Sequence, residues 1–271
     1  MSAQSFDFII VGAGTSGSLL ASRLASTKAA SSILLIEGGP NTLGDDRFRA
    51  SFDRFATFML SADVLGTDHT CSIISNPLSA SGTALSHDEA AKVARSMPYA
   101  RGKGLGGTSQ VNFSCWCVGP AADYDTWAEL VGDDVWKWEN AGKTYDRIVK
   151  LHAAHVAEDV RKLIHVDPLS QENTSGLKFD LEYPRQLEPE MKPMLAAAET
   201  FGWKTIKDIN DGDPIGNGLA VNVYRHGLRT TTGTAFLIGA PQNLTIWTGT
   251  NVGKVIFHNM KAIGVELMDG R

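Results

Sequence analysis

Two glycine clusters hold the residues of this sequence best suited to chemistry. In the first, "GAGTSG", Gly12, Gly14 and Gly17 spell G-x-G-x-x-G, with Thr15 and Ser16 inside the motif. The second, "RGKGLGGTSQVNFSCW", puts Gly102, Gly104, Gly106 and Gly107 within six positions, then Thr108, Ser109, Asn112 and Cys115. Glycines this dense leave a bare backbone that another group can approach closely. An acid, Glu37, stands twenty positions after Gly17. A glycine turn opening a helix offers free N–H groups and the positive end of the helix dipole, which suits phosphate. A carboxylate at that distance accepts hydrogen bonds from ribose hydroxyls and repels a 2′-phosphate, which disfavours NADP. The chemistry implied is the binding of a dinucleotide.

The elements that must position these residues are readable nearby. Phe6 to Val11 is a short β-rich apolar run, Leu19, Leu20, Arg23 and Leu24 begin a helical face, and Ile33 to Ile36 is a second apolar run ending at Glu37. Strand, tight turn, helix and strand make a βαβ unit. In it Gly12 allows the turn, Gly14 the close approach of a pyrophosphate, and Gly17 the packing of helix on strand. The motif by itself does not choose between FAD and NAD.

Gly102, Gly104 and Gly107 repeat the same spacing without the same context. "SMPYAR" ahead of them carries Pro98 and is a poor buried strand. "QVNFSCWCV" after them, β-branched and aromatic, suits a strand better than a helix. A phosphate-binding P-loop is excluded, because Lys103 is followed by glycine where Ser or Thr is required. What remains is a bare loop leading into a strand, suited to the far side of a cofactor anchored elsewhere. Taken alone, Thr108, Ser109 and Asn112 also fit ordinary loop and strand capping.

Composition narrows the class. The 271 residues are 43% hydrophobic and 20% charged, as in a soluble globular protein with a sizeable core. A net charge of −5 and the lack of a Lys/Arg run argue against a nucleic-acid surface. No apolar run approaches a membrane span, and the N-terminus lacks the basic flank of a secretory signal, so a cytoplasmic location is expected. The three cysteines, Cys71, Cys115 and Cys117, cannot all pair internally, which fits a reducing compartment. Cys115-x-Cys117 has the wrong spacing for zinc or a redox pair, and the two are expected to be small buried hydrophobes. His152, His155 and Glu158 fall three apart on an expected helix, where a solvated face is a better account than a metal site; no metal is expected. His226 is expected to be a surface or capping histidine.

The second cluster and its surroundings resemble a known family. "GKGLGGTSQVN", with Trp116, Gly119 and Asp125 beyond it, is similar to the first signature of the glucose–methanol–choline (GMC) oxidoreductases, which are FAD enzymes. "DYDTW", "WKWENAGKTYDRIVKLH" and "GLRTTTGTAFLIGAPQNLTIWTGTNVGKVIFHNMKAIGVEL" continue the likeness in family order. The resemblance implies an α/β, Rossmann-like FAD-binding domain of the glutathione-reductase-like type, with the start of a substrate domain. It implies that Gly12, Thr15, Ser16 and Gly17 hold the pyrophosphate, beside the close approach Gly14 allows, and Glu37 the adenosine ribose. Gly107, Ser109, Asn112 and Cys115 would lie along the ribityl chain and flavin ring, and Val252 would pair its backbone with adenine. Phe113 and Val118 depart from the family's usual glycine and arginine. The resemblance makes an NAD-dependent dehydrogenase the weaker reading, because residues 101–116 would then have no role.

Domain organisation follows. Residues 1–165 are expected to form the FAD-binding part, 166–240 to begin a substrate-side domain, and 241–271 to return to the FAD-binding domain. Residues 79–94 are Ser/Ala-rich, 166–184 read as a connection, and 245–248, 252–258 and 261–268 read as a three-stranded meander turning at Asn259-Met260. Asp269-Gly270 would then open a further hairpin. The likeness covers the family's N-terminal half, so the chain is expected to be incomplete at its C-terminus and inactive alone. The family's histidine base, which takes the proton of a small-molecule alcohol while hydride passes to flavin, would lie in the other half. No catalytic residue is assigned. Two alternatives stand beside this: a non-catalytic truncated relative with residual FAD binding, and a half-subunit complemented by another chain.

Overall fold

The computed structural model describes residues 4–27, 32–45, 48, 70–74, 96–102, 104–110, 112, 114–152, 158, 161, 179–184 and 187–270. Two compact units emerge: Met1–Phe113 with Thr231–Arg271, and Ser114–Thr230.

In the first unit β1 (Phe8–Val11), α1 (Thr15–Ala25) and β2 (Ile33–Ile36) form the expected βαβ unit, with β1 and β2 parallel in the register Phe8 to Ile33 through Val11 to Ile36. Every residue of β2 is buried, as a continuous apolar run in the middle of a parallel sheet must be. Helix α1 turns the small residues Ser18, Ala21 and Ala25 inward, which lets it lie close on the sheet. Farther along come the antiparallel ribbon of β3 (Thr70–Ile74) and β4 (Ser96–Gly102), then a 3-10 turn at Gly107–Gln110.

In the second unit α2 (Ala121–Val131) and α3 (Trp138–Ile148) precede β5 (Val149–His152), which pairs in parallel with β6 (Phe179–Glu182). Helix α4 (Met191–Thr200) and a hairpin of β7 (Tyr224–Arg225) and β8 (Leu228–Arg229) follow. An aromatic group knits this unit. Trp116 lies 5.9 Å from Tyr145 and 5.5 Å from Phe179, ring centre to centre, and the Tyr124 hydroxyl donates to the Val118 carbonyl at 2.5 Å. Burial and the neighbouring Tyr145 hydroxyl hold the Tyr124 phenol well above its ordinary pKa.

The chain returns to the first unit through α5 (Thr232–Phe236), β9 (Leu244–Trp247), β10 (Val252–His258) and β11 (Lys261–Leu267). The core beside the glycine turn is Ala13, Ala21, Leu35, Leu105 and Leu237.

Several local expectations change. The meander is a hairpin: β10 and β11 pair antiparallel around Asn259 and Met260, both at positive φ, while β9 joins β2 in parallel. The reason is burial, since Leu244 and Ile246 pack against the Leu35 cluster and extend the parallel sheet to the order β1-β2-β9. "SMPYAR" lies in β4, one of the two strands of a ribbon, where Pro98 is tolerated opposite Ser72. The described residues of "QVNFSCWCV" contribute an isolated bridge, Cys115 to Asn222, beside Ser114 at φ 63, instead of a strand. Cys115 and Cys117 are exposed, because Trp116 between them takes the inward side. His152 lies on β5 rather than a helix, where its Nε2 meets Asp180 Oδ1 at 2.6 Å. His155, Phe113, residues 79–94 and residues 166–178 lie outside the described residues, while 179–182 form a strand. His226 occupies the exposed turn between β7 and β8 at φ 51. No helix among the described residues is long and apolar enough to cross a membrane.

Candidate cofactor site

The first unit gathers both glycine clusters around one carboxylate. Gly12 closes β1 at φ +93, a conformation that side chains rarely adopt, and its N–H donates to the Ile36 carbonyl at 2.7 Å. A Cβ on Gly17 would stand 2.0 Å from the Gly12 carbonyl oxygen, so only glycine lets the helix begin this close to the turn. A Cβ on Gly14 would meet nothing within 4 Å. Gly14 is also the N-cap of α1 and supplies no side-chain cap, and the two following residues, Thr15 and Ser16, are exposed. The helix therefore opens on bare backbone at its electropositive end.

Glu37, at the tip of β2, is 8% exposed, and burying a charge there demands partners. It has three. Oε2 accepts from the Ala13 N–H at 2.8 Å, and Oε1 accepts from the N–H groups of Gly39 at 2.8 Å and Gly104 at 3.1 Å. One carboxylate thus ties the β1–α1 turn to a loop that lies 67 residues beyond Glu37 itself. A second tie runs from the Gly106 N–H to the Ala13 carbonyl at 2.8 Å. Gly107, at φ +51, packs so closely that a Cβ would lie 2.7 Å from Gly14 Cα.

The segment before β10 is tied to the backbone of the same residue. Glu37 donates its N–H to the Trp247 carbonyl and accepts Thr250 N–H at its own carbonyl, at 2.8 and 2.9 Å. This delivers Val252 to the vicinity of β2, where it packs with Leu34, Ile36 and Leu267.

Of the residues singled out in the sequence, Gly12, Gly14, Thr15, Ser16, Gly17, Glu37, Gly107 and Val252 are therefore brought together within one unit. Ser109 is buried, its hydroxyl donating to the Gly106 carbonyl at 2.6 Å. Asn112 is exposed, and Cys115 belongs to the second unit. Sequence reasoning missed Thr232, whose N–H donates to Ser109 Oγ at 3.1 Å. Its signal was Thr231 followed three places later by Thr234, a reciprocal capping box opening α5.

The arrangement fits a dinucleotide. The open face over Gly14 and the uncapped helix start leave room for a pyrophosphate. Of the about four acceptor positions of a carboxylate, three are taken in Glu37, which leaves one for a ribose hydroxyl. Among the described residues no cluster of three or more His, Cys, Asp or Glu side chains is placed to hold a metal ion.

Fold and site together define an α/β chain of the dinucleotide-binding type. The family model described as GMC oxidoreductase matches residues 6–271, and the chain belongs to that family. FAD is the cofactor bound by the family's N-terminal domain. Among the curated relatives, ecdysone oxidase of Bombyx mori is 28% identical over 96% of this chain and 36% of its own length. An oxygen-dependent choline dehydrogenase of Pseudomonas putida is 29% identical over 98% of this chain and 42% of its own. Pyridoxine 4-oxidase from Mesorbium loti shares the fold with a TM-score of 0.75 and 22% identity, over 98% of this chain and 47% of that one. The chain thus spans less than half the length of each of these proteins.

Proposed function

We propose that these residues form the FAD-holding part of an oxidoreductase that oxidises CH–OH groups of small-molecule alcohols. The pyrophosphate would rest on Gly12, Gly14, Thr15, Ser16 and Gly17 at the start of α1. The adenosine ribose would donate to Glu37, with adenine toward Val252, and the flavin side would run toward Gly107. Bound FAD supplies the centre that accepts the substrate's electrons. This chain's residues would bind and orient it, through backbone N–H groups on the phosphates and one carboxylate on the ribose.

The observation that carries the reading is the sharing of Glu37 between Ala13 and Gly104. It explains why two distant glycine clusters occur in one chain. The names of the relatives support the substrate class: choline is an alcohol, and one of the structures sharing the fold is a fungal aryl-alcohol oxidase. Proton abstraction from the alcohol is assigned to none of the described histidines. His152 is engaged with Asp180, His226 occupies a surface turn, and His258 ends β10.

The test is a titration of FAD with the purified chain, following flavin fluorescence, with ADP as competitor. Saturable binding that ADP displaces is expected. A folded chain that leaves the fluorescence unchanged would refute the reading.

A further inference from the structure

Helix α5 belongs to neither glycine cluster, yet its first residues hold the second glycine loop in place. The contact is hydroxylic and buried: Thr232 is 3% exposed and Ser109 is 7% exposed. Ser109 Oγ donates to the Gly106 carbonyl at 2.6 Å and accepts the Thr232 N–H at 3.1 Å. Thr232 Oγ1 lies 3.2 Å from Ser109 Oγ and donates to the same Gly106 carbonyl at 3.3 Å. The helix backbone closes in as well. A Cβ on Gly233 would lie 2.2 Å from the Leu105 carbonyl oxygen, and one on Gly106 would lie 3.0 Å from the Gly233 nitrogen.

Gly106 is thus held at both of its polar atoms. Its N–H reaches Ala13 in the β1–α1 turn, and its carbonyl is taken by the Ser109 and Thr232 hydroxyls. Gly107, against Gly14, follows directly. A glycine loop free of such ties would sample many backbone conformations and pay that entropy on binding.

We infer that Ser109 and Thr232 are a coupled pair of positioning residues: together they set the Gly106–Gly107 backbone against the dinucleotide turn, and Ser109 acts on the cofactor through that backbone. The inference rests on the FAD-binding reading above. It differs from direct contact in a measurable way, because a pair acting through one shared carbonyl is non-additive.

The test is FAD affinity of the 271-residue chain by flavin fluorescence, alongside thermal unfolding without cofactor. Thr232→Val keeps the shape and removes the hydroxyl, and weakens binding roughly three- to tenfold. Thr232→Ser keeps the hydroxyl and removes a methyl group, so it lowers the unfolding temperature while retaining wild-type affinity. Ser109→Ala in the Thr232→Val background adds little beyond the weaker single variant. Overturning results are Thr232→Ser binding as poorly as Thr232→Val, Thr232→Val binding like wild type, or effects of the two sites that simply add. Absence of FAD binding by the folded wild-type chain is a different failure: it removes the FAD reading itself and, with it, the cradle this pair would set.

Discussion

Replacing Glu37 by glutamine separates the two duties its carboxylate performs. The side chain keeps its size, but one acceptor oxygen becomes an NH2 group facing backbone donors. With the amide oxygen toward Gly39 and Gly104, the NH2 group opposes the Ala13 N–H; in the other orientation two donors lose their acceptor. The cheaper arrangement loses one charge-assisted hydrogen bond and leaves a buried N–H unpaired, about 3 kcal/mol in all. With a urea slope of about 2–3 kcal/mol per M, the unfolding midpoint of the cofactor-free chain falls by roughly 1 M. The assay is urea unfolding by circular dichroism, with and without FAD. The cofactor-free curve is the decisive one, because a residue that only bound ribose would leave it unmoved. An unchanged midpoint for Glu37→Gln without FAD would refute the claim that this carboxylate joins the two glycine clusters.

Two further outcomes are expected. Gly17→Ala puts a methyl group 2.0 Å from the Gly12 carbonyl oxygen, against backbone that cannot yield without opening the turn, and FAD titration of this variant should show no saturable binding. In the second unit, burial, reinforced by Asp211, raises the Asp208 carboxyl above its usual range against the opposing hydrogen bonds from Asn210. A folded pKa above the unfolded one means the native state binds that proton more tightly, so the penalty of the charge is present above the folded pKa and fades as pH falls through it. Asp208→Asn, which keeps an acceptor for the Asn210 N–H, should therefore melt higher than wild type at neutral pH, with the advantage shrinking in acid; a lower melting temperature at neutral pH would sink this account.

The parts of the fold that were legible in the sequence are those set by short-range pattern. β1, α1 and β2 follow from an apolar run, a glycine turn and a second apolar run, and each occupies its expected place. Partnership was not legible. Leu244–Trp247 reads equally well as a meander strand or as an added parallel strand, and the choice is made by burial against Leu35, which no local pattern encodes. The same holds for Val149–His152, which continues a helical sequence yet leaves the helix to pair with β6. Tertiary pairing overrides local propensity in both cases.

For the site, spacing identified the residues and packing explains the difference between the two clusters. Gly12, Gly14 and Gly17 form a turn whose middle glycine faces open space, as a group that receives a ligand's phosphates must. Gly104, Gly106 and Gly107 are buried, and a Cβ on any of them would press on Thr42, on Gly233 or on Gly14. The second cluster is therefore bare for the protein's own sake: its glycines let three chain segments, the β1–α1 turn, residues 40–42 and the start of α5, meet at one loop. That also explains why its G-x-G-x-x-G spacing misleads, since Gly104 and Gly107 answer to close packing. Glu37 links the two cases, because its side chain serves the packed loop at Gly104 and the open turn at Ala13 at once. A sequence shows the acid at the ribose position; that it also fastens the second loop follows only once the chain has brought residue 104 back to residue 37.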